Sequence, residues 1–150
     1  MTQLWYPHGT VAAVIEREGK FLLVEEQADQ ALVLNQPAGH WEANDSLVAA
    51  AVRETLEETG YTFQPTALIG IYRWPHPHKD FVYLRFAFTG TILSYDPHRV
   101  LDEGIVRALW LSPDELRAQN TRHRGPLVLR CMEDYLAAKR YPLDILTHFA

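Results

Sequence analysis

The chain has 150 residues, 47% hydrophobic and 22% charged, with a net charge of −5. A length of this order buries roughly 70% of the unfolded surface, so one domain over residues 1–150 is expected without a disulfide staple. The acidic balance excludes a general pull on nucleic acid or anionic membrane, and a polyanionic ligand therefore needs a local remedy. Cys131 is the only cysteine, which excludes an internal disulfide and fits a reducing compartment. No apolar run approaches the roughly 20 residues of a bilayer span. The start MTQLWYPHG has no basic leader region, so a cytoplasmic protein is expected.

Taken in chain order, TVAAVIEREGKFLLVEE holds two apolar, β-rich runs around a turn at Arg17–Lys20, which predicts a hairpin. ALVLNQPAG is a short third strand running into a loop. From Asn44 or Asp45, either a good N-cap, a helix is expected to run to Thr59 and to stop at Gly60. ALIGIYRW and DFVYLRFAFTGTIL then read as strands joined by the loop Pro75–Lys79. In the second, Val82, Leu84, Phe86 and Phe88 share one face, read as core; Phe81, Tyr83 and Arg85 share the other, which suits a cleft floor or a half-exposed strand. IVRALWL is another strand. Ser112 and Pro113 open a short helix, and GPLVLRCMEDYLAAKRY reads as an amphipathic helix. Strands interrupted by a central helix, with helices at the end, indicate an α/β layered fold with a mixed sheet.

The central helix carries RETLEETG. On a wheel, Val48, Val52, Thr55, Leu56 and Thr59 gather on the side expected to face the sheet; Glu54, Glu57 and Glu58 gather opposite, above Ala50 and Ala51. Like charges at this spacing cost roughly 0.2–0.5 kcal/mol per pair. Acids at the C-terminal end of a helix lose roughly 0.3–1 kcal/mol each. Arg53 offsets part of this, but one cation does not balance three anions. A solvated acidic face is the plain reading of such a helix. Here the acids come late rather than early, and the loop NQPAGHWEAND before them holds the Pro and Gly expected where backbone is shaped beside a ligand. Both features favour a bound hard cation with oxygen ligands, Mg²⁺ with Mn²⁺ as a substitute.

The run Gly39–Tyr61 resembles the Nudix box, G-x5-E-x7-R-E-U-x-E-E-x-G-U, with U a bulky aliphatic residue. Gly39, Arg53, Glu54, Glu57, Glu58 and Gly60 match at their spacings. Asp45 stands where Glu is usual, Thr55 where an aliphatic is usual, and Tyr61 where an aliphatic is more frequent. The resemblance implies a Nudix-type α/β/α sandwich with a mixed sheet and a catalytic helix. It also implies metal-dependent hydrolysis of a small-molecule diphosphate or triphosphate, with no stable nucleic-acid partner and no membrane. The segments NQPAGHWE, LRF at Arg85 and RYPLDIL are similar to those of NudJ-type phosphatases. That similarity implies nucleoside tri- and diphosphates and the thiamine pyrimidine (hydroxymethylpyrimidine) pyrophosphate as substrates. A monomer and a homodimer both stay open.

Carried over residue by residue, the resemblance implies that Glu57 and Glu58 bind Mg²⁺, with Glu54 a further ligand or a water-orienting base. The Gly39 carbonyl would be a backbone ligand, and Arg53 would hold a glutamate in place. A further acid is expected from a later loop: Glu103 in LDEGIV first, Asp102 second. The catalytic candidates are thus Glu54, Glu57 and Arg53. Arg85, with Arg73 or Lys79, is a candidate for phosphate contacts. Trp74 either stacks on a base or caps the core.

His76 and His78 read as loop residues, Cys131 as buried packing and TRHRG as a solvated connection. Pro77, sixteen residues after the box, is also seen in ADP-ribose pyrophosphatases, so ADP-ribose or a nucleoside-diphosphate sugar is the alternative substrate class. A non-catalytic nucleotide-binding module would tend to lack box glutamates, and all three are present. A prenyl-diphosphate isomerase needs a reactive cysteine, and Cys131, late in a helix, argues against it.

Overall fold

The computed structural model describes residues 4–150. The first apolar run is divided. Strand β1 (His8–Ala13) joins one sheet, whereas β2 (Glu16–Arg17) turns into β3 (Lys20–Ala28) in another. The expected hairpin is present at this turn. Glu18 and Gly19 both take left-handed φ, 53° and 77°, which matches the twist of the paired strands. Strands β4 (Ala31–Asn35) and β5 (Ala38–His40) follow, then helix α1 (Leu47–Thr59). Two long strands, β6 (Tyr61–Pro75) and β7 (Val82–Tyr95), precede β8 (Ile105–Leu111) and the helices α2 (Pro113–Ala118) and α3 (Pro126–Leu136).

One sheet has the order β5-β1-β7-β6 and is mixed, because β1 runs parallel to β7 while the other pairs are antiparallel. In the second sheet β3 pairs antiparallel with β2, β4 and β8. Alternation along β1 and its continuation separates two cores. Val11, Ala13 and Ile15 pack with Leu22, Phe88 and the α1 residues Ala50 and Ala51. Ala12 and Val14 pack with Phe21, Leu23 and the α3 residues Val128, Cys131 and Met132. Strands covered on both faces explain the near-continuous apolar runs in the sequence. They also correct the reading of β7: Phe88 enters one core, but Ala87, on the face of Arg85, enters the other. Layers of helix on both sides of the strands give the expected α/β sandwich.

Helix α1 starts later than expected. Ser46 is its N-cap, accepting from the Ala49 N–H at 3.0 Å. Asp45 is spent elsewhere, on Arg53. Gly60 ends the helix in the left-handed region, φ 80°, with its N–H on the Leu56 carbonyl at 2.9 Å. The wheel also needs correction. Glu54 and Glu58 are each only 9% exposed and lie on the packed face with Ala50, Ala51 and Thr55, while Val48, Val52 and Leu56 are half-buried. Small alanines bring the helix close to the strands and carry the two acids inward with it.

Two departures from the box have local reasons. Buried Thr55 satisfies its hydroxyl on the Ala51 carbonyl at 2.8 Å. Tyr61 stacks on Tyr95 at 4.2 Å between centroids and accepts the indole N–H of Trp110 at 3.2 Å. Among the described residues, no helix is long and apolar enough to cross a membrane.

Candidate active site

Strand β5 lies beside α1, and Gly39 faces Glu54. A Cβ added at Gly39 would fall inside the Glu54 carboxyl group, so any side chain there would have to displace that carboxylate. Arg53 organises the acids around it. Its Nε and Nη2 both donate to Asp45 Oδ2, at 3.1 and 2.9 Å, so the shorter acid reaches it after all. Nη2 also donates to the His40 carbonyl at 3.2 Å. Nη1 donates to Glu54 Oε1 at 2.8 Å and to Glu57 Oε2 at 3.4 Å.

Carboxylate oxygens of Glu54, Glu57 and Asp102 all lie within 4.8 Å of one another. Of the two loop acids, it is Asp102 and not Glu103 that the fold brings to these carboxylates. The Asp102 N–H donates to the Glu57 carbonyl at 3.0 Å, which ties this exposed residue to the end of α1; Glu103, also exposed, is not among the gathered acids. Glu58 accepts the Ala38 N–H at 3.0 Å.

Burial pushes the Glu58 carboxyl up to about 8, helped by the nearby acids Glu26, Glu54 and Asp102. Burial also raises Glu54, where Arg53 opposes the shift, and raises Glu57, where Asp102 adds to it. The acids are short of positive charge even with Arg53 among them. Clustered hard oxygens that lack counter-charge, next to a glycine that leaves room for no side chain, fit a hard divalent cation. Glu54, Glu57, Glu58 and Asp102 are the residues available to hold it; the Gly39 carbonyl, expected as a backbone ligand, lies in the hydrogen-bonded pair with Val11 and faces β1 instead.

A cleft of about 350 Å³ opens from Gly39, Glu54 and Glu58 towards a second wall. That wall holds Trp74 stacked on Tyr83, 5.5 Å between centroids and 21° between planes, with Arg85, Arg124 and Leu127. Gly125 makes room for the indole, because a Cβ there would enter the Trp74 ring. Cross-strand register explains the selection: Tyr72 opposes Arg85 and Trp74 opposes Tyr83, on one face, while Arg73 opposes Leu84 on the other. Arg73 is exposed and does not line the cleft, and neither do Lys79, His76 and His78.

With this geometry in view, residues 6–131 match the NUDIX domain. The chain is a Nudix hydrolase. It is 40% identical over 146 residues to Phosphatase NudJ of Escherichia coli K12, covering 97% of this chain and 94% of that one. It superposes on a NUDIX hydrolase from Nitrosomonas europaea with a TM-score of 0.94 and 55% identity, over 96% and 98% of the two chains. An ADP-ribose pyrophosphatase from Streptococcus suis shares the fold, with a TM-score of 0.66 and 20% identity over 87% and 92% of the chains. Membership brings hydrolysis of small-molecule phosphate substrates and use of a divalent metal.

In this Nudix hydrolase the segment read as a solvated connection forms part of the cleft wall. The Arg124 N–H donates to the Leu34 carbonyl at 2.9 Å, and its Nη1 donates to Glu26 Oε1 at 2.8 Å. Next to it, Arg122 pairs with buried Glu25, whose carboxyl is held below its ordinary range by Arg122 and then Arg107. Adjacent glutamates on β3 thus pin a loop some hundred positions further along the chain. No local pattern marks it, because its partners come from β3 and β4.

Gly39→Ala is expected to displace the Glu54 carboxylate and lower turnover at least about tenfold, with a stability loss of about 1–3 kcal/mol from overpacking. Activity and thermal melting measured together check it. A variant matching the parent in both would show that the approach of β5 to Glu54 is immaterial.

Proposed function

We propose that this Nudix hydrolase cleaves phosphoanhydride bonds in nucleoside tri- and diphosphates and in hydroxymethylpyrimidine pyrophosphate, with Mg²⁺ as its cation and Mn²⁺ as a substitute. The observation that carries the reading is the acid cluster of Glu54, Glu57 and Asp102 opening into a cleft whose far wall is aromatic and cationic. Bound Mg²⁺ neutralises phosphate charge and lowers the pKa of a water.

Glu54, Glu57 and Asp102 would hold the cation, with Glu58 beside them, and Glu54 is also placed to take the proton from the attacking water. A carboxyl with a raised pKa is a stronger base than a free one, which suits that task. Arg53 positions Glu54 and Glu57 and keeps Asp45 against the helix. Trp74, braced by Tyr83 and Gly125, offers a ring face to a base or pyrimidine. Arg85 faces the phosphates from the cleft floor. The 40% identity to Phosphatase NudJ favours this substrate class over ADP-ribose, for which the likeness is one of fold alone.

The test is release of orthophosphate and pyrophosphate from nucleoside triphosphates, diphosphates, hydroxymethylpyrimidine pyrophosphate and ADP-ribose, with Mg²⁺ and with a chelator. Release from the first three that disappears with chelator is the expected result. AMP from ADP-ribose, with nothing from the others, would move the assignment to the alternative class.

A further inference from the structure

Arg85 is 8% exposed, and what surface it keeps faces the cleft. Among the described residues no carboxylate lies within salt-bridge distance of it. The other arginines around the cleft differ: Arg53 has Asp45 and Glu54, Arg122 has Glu25 and Arg124 has Glu26. An arginine brings a positive charge to this position. A buried charge without a counter-ion is strongly unfavourable.

The partners Arg85 does have are neutral. Nη1 donates to Gln36 Oε1 at 3.0 Å and Nη2 donates to Asn35 Oδ1 at 3.1 Å, with a longer contact from Nη1 to Cys131 Sγ at 3.9 Å. Both amides are fixed in this sense by what their nitrogens do. Gln36 Nε2 donates to the Val128 carbonyl at 2.7 Å, and Asn35 Nδ2 donates to Glu26 Oε1 at 3.4 Å. Each side chain therefore turns an oxygen to Arg85 and orients the guanidinium without neutralising it. Asn35 and Gln36 are themselves 7% and 3% exposed.

We propose that Arg85, framed by Asn35 and Gln36, is a metal-independent subsite for a phosphate oxyanion of the substrate or product. The acid cluster attracts an anion only when loaded with a cation; the Arg85 guanidinium is a cation with or without metal. The two centres divide the phosphates between them, one group at the carboxylates and another on the guanidinium. The amides at positions 35 and 36 are then a functional choice, since an acid at either position would pair with Arg85 and close the subsite. This deepens the phosphoanhydride reading and rests on it, yet its test needs neither turnover nor metal.

Titration calorimetry with pyrophosphate in excess chelator, at constant ionic strength, compares the parent with Asn35→Asp, Gln36→Glu and Glu57→Gln. The parent is expected to bind. Asn35→Asp and Gln36→Glu, which bring a carboxylate to Arg85 from adjacent positions, are each expected to weaken binding at least about tenfold, or about 1.4 kcal/mol. Their melting temperatures, above the assay temperature, show that the chains are folded. Glu57→Gln, which removes a negative charge from the acid cluster beside the cleft, is expected to bind at least as well as the parent. Absence of binding by the parent, or equal binding by both amide variants, overturns the subsite. Mg²⁺-dependent phosphate release without metal-free binding would leave the catalytic reading standing and remove this one. Metal-free binding without release from any substrate would do the reverse.

Discussion

Glu57→Gln is expected to lower Mg²⁺-dependent phosphate release by more than about 100-fold while leaving the chain folded. Groups that only orient a metal ligand are worth roughly 10–100-fold, so loss of a direct carboxylate should cost no less. The substitution keeps the side-chain shape and removes its charge. Arg53 stays in place because its bonds to Glu54, at 2.8 Å, and to Asp45, at 2.9 Å, are shorter than the 3.4 Å bond to Glu57. Burial and Asp102 both raise the Glu57 carboxyl, so the charge is held in the fold against a cost. Melting in chelator should therefore occur at the same temperature as in the parent or higher. Steady-state kinetics and a melt on one preparation decide the matter. Full activity in the variant would remove Glu57 from the cation site, and a large drop in melting temperature would make it a structural residue instead.

The part of this site that could be read from the sequence is the part encoded locally. Arg53, Glu54, Glu57 and Glu58 sit on one helix, where spacing alone brings side chains together, and Gly39 is tied to Glu54 by one short loop. The strands around them were visible for a similar reason: apolar runs covered on both faces stand out whatever their partners. What the wheel missed was how deeply the acids are carried in. It assumed that charge faces water, whereas Glu54 and Glu58 are buried because Ala50 and Ala51 let α1 sit low on the strands.

Choices that depend on distant partners were not legible. Asp102 and Glu103 are adjacent acids, and only the folded loop, with the Asp102 N–H on the Glu57 carbonyl, brings the first to Glu54 and Glu57. Arg73 stood behind Arg85 as a phosphate contact, and only the register of β6 on β7 places it with Leu84 on the outer face. Arg124 and Gly125 enter the cleft wall because Glu25, Glu26 and Leu34 hold their loop, and nothing in TRHRG itself signals that. The same limit hid the neutral framing of Arg85, since Asn35 and Gln36 become informative only beside the charge they orient.

The charge imbalance in the helix yields a second large effect, on stability without metal. Glu58 has a folded-state pKa of about 8 against an ordinary value of 4.5. A group raised in this way stabilises the fold fully below the ordinary value, and that contribution is lost as pH rises through the folded one. Between these limits the folded chain keeps a proton that the unfolded chain has released, so stability falls with rising pH by at most about 1.4 kcal/mol per unit for each such proton. Glu54 and Glu57 shift in the same direction. The lowered carboxyls of Glu25, Glu115 and Asp134 act only at acid pH. His76 is also lowered, which opposes the trend near its own range, so the cleanest window is pH 7–8. For a chain of this size the loss corresponds to a fall of about 2–4 °C in melting temperature over that unit in chelator. Saturating Mg²⁺ replaces the proton as counter-charge, so it should flatten the slope and raise the melting temperature most at pH 8. A metal-free melting temperature that stays level or climbs from pH 7 to 8 would mean that Arg53 alone satisfies the three glutamates, and that RETLEETG needs no cation.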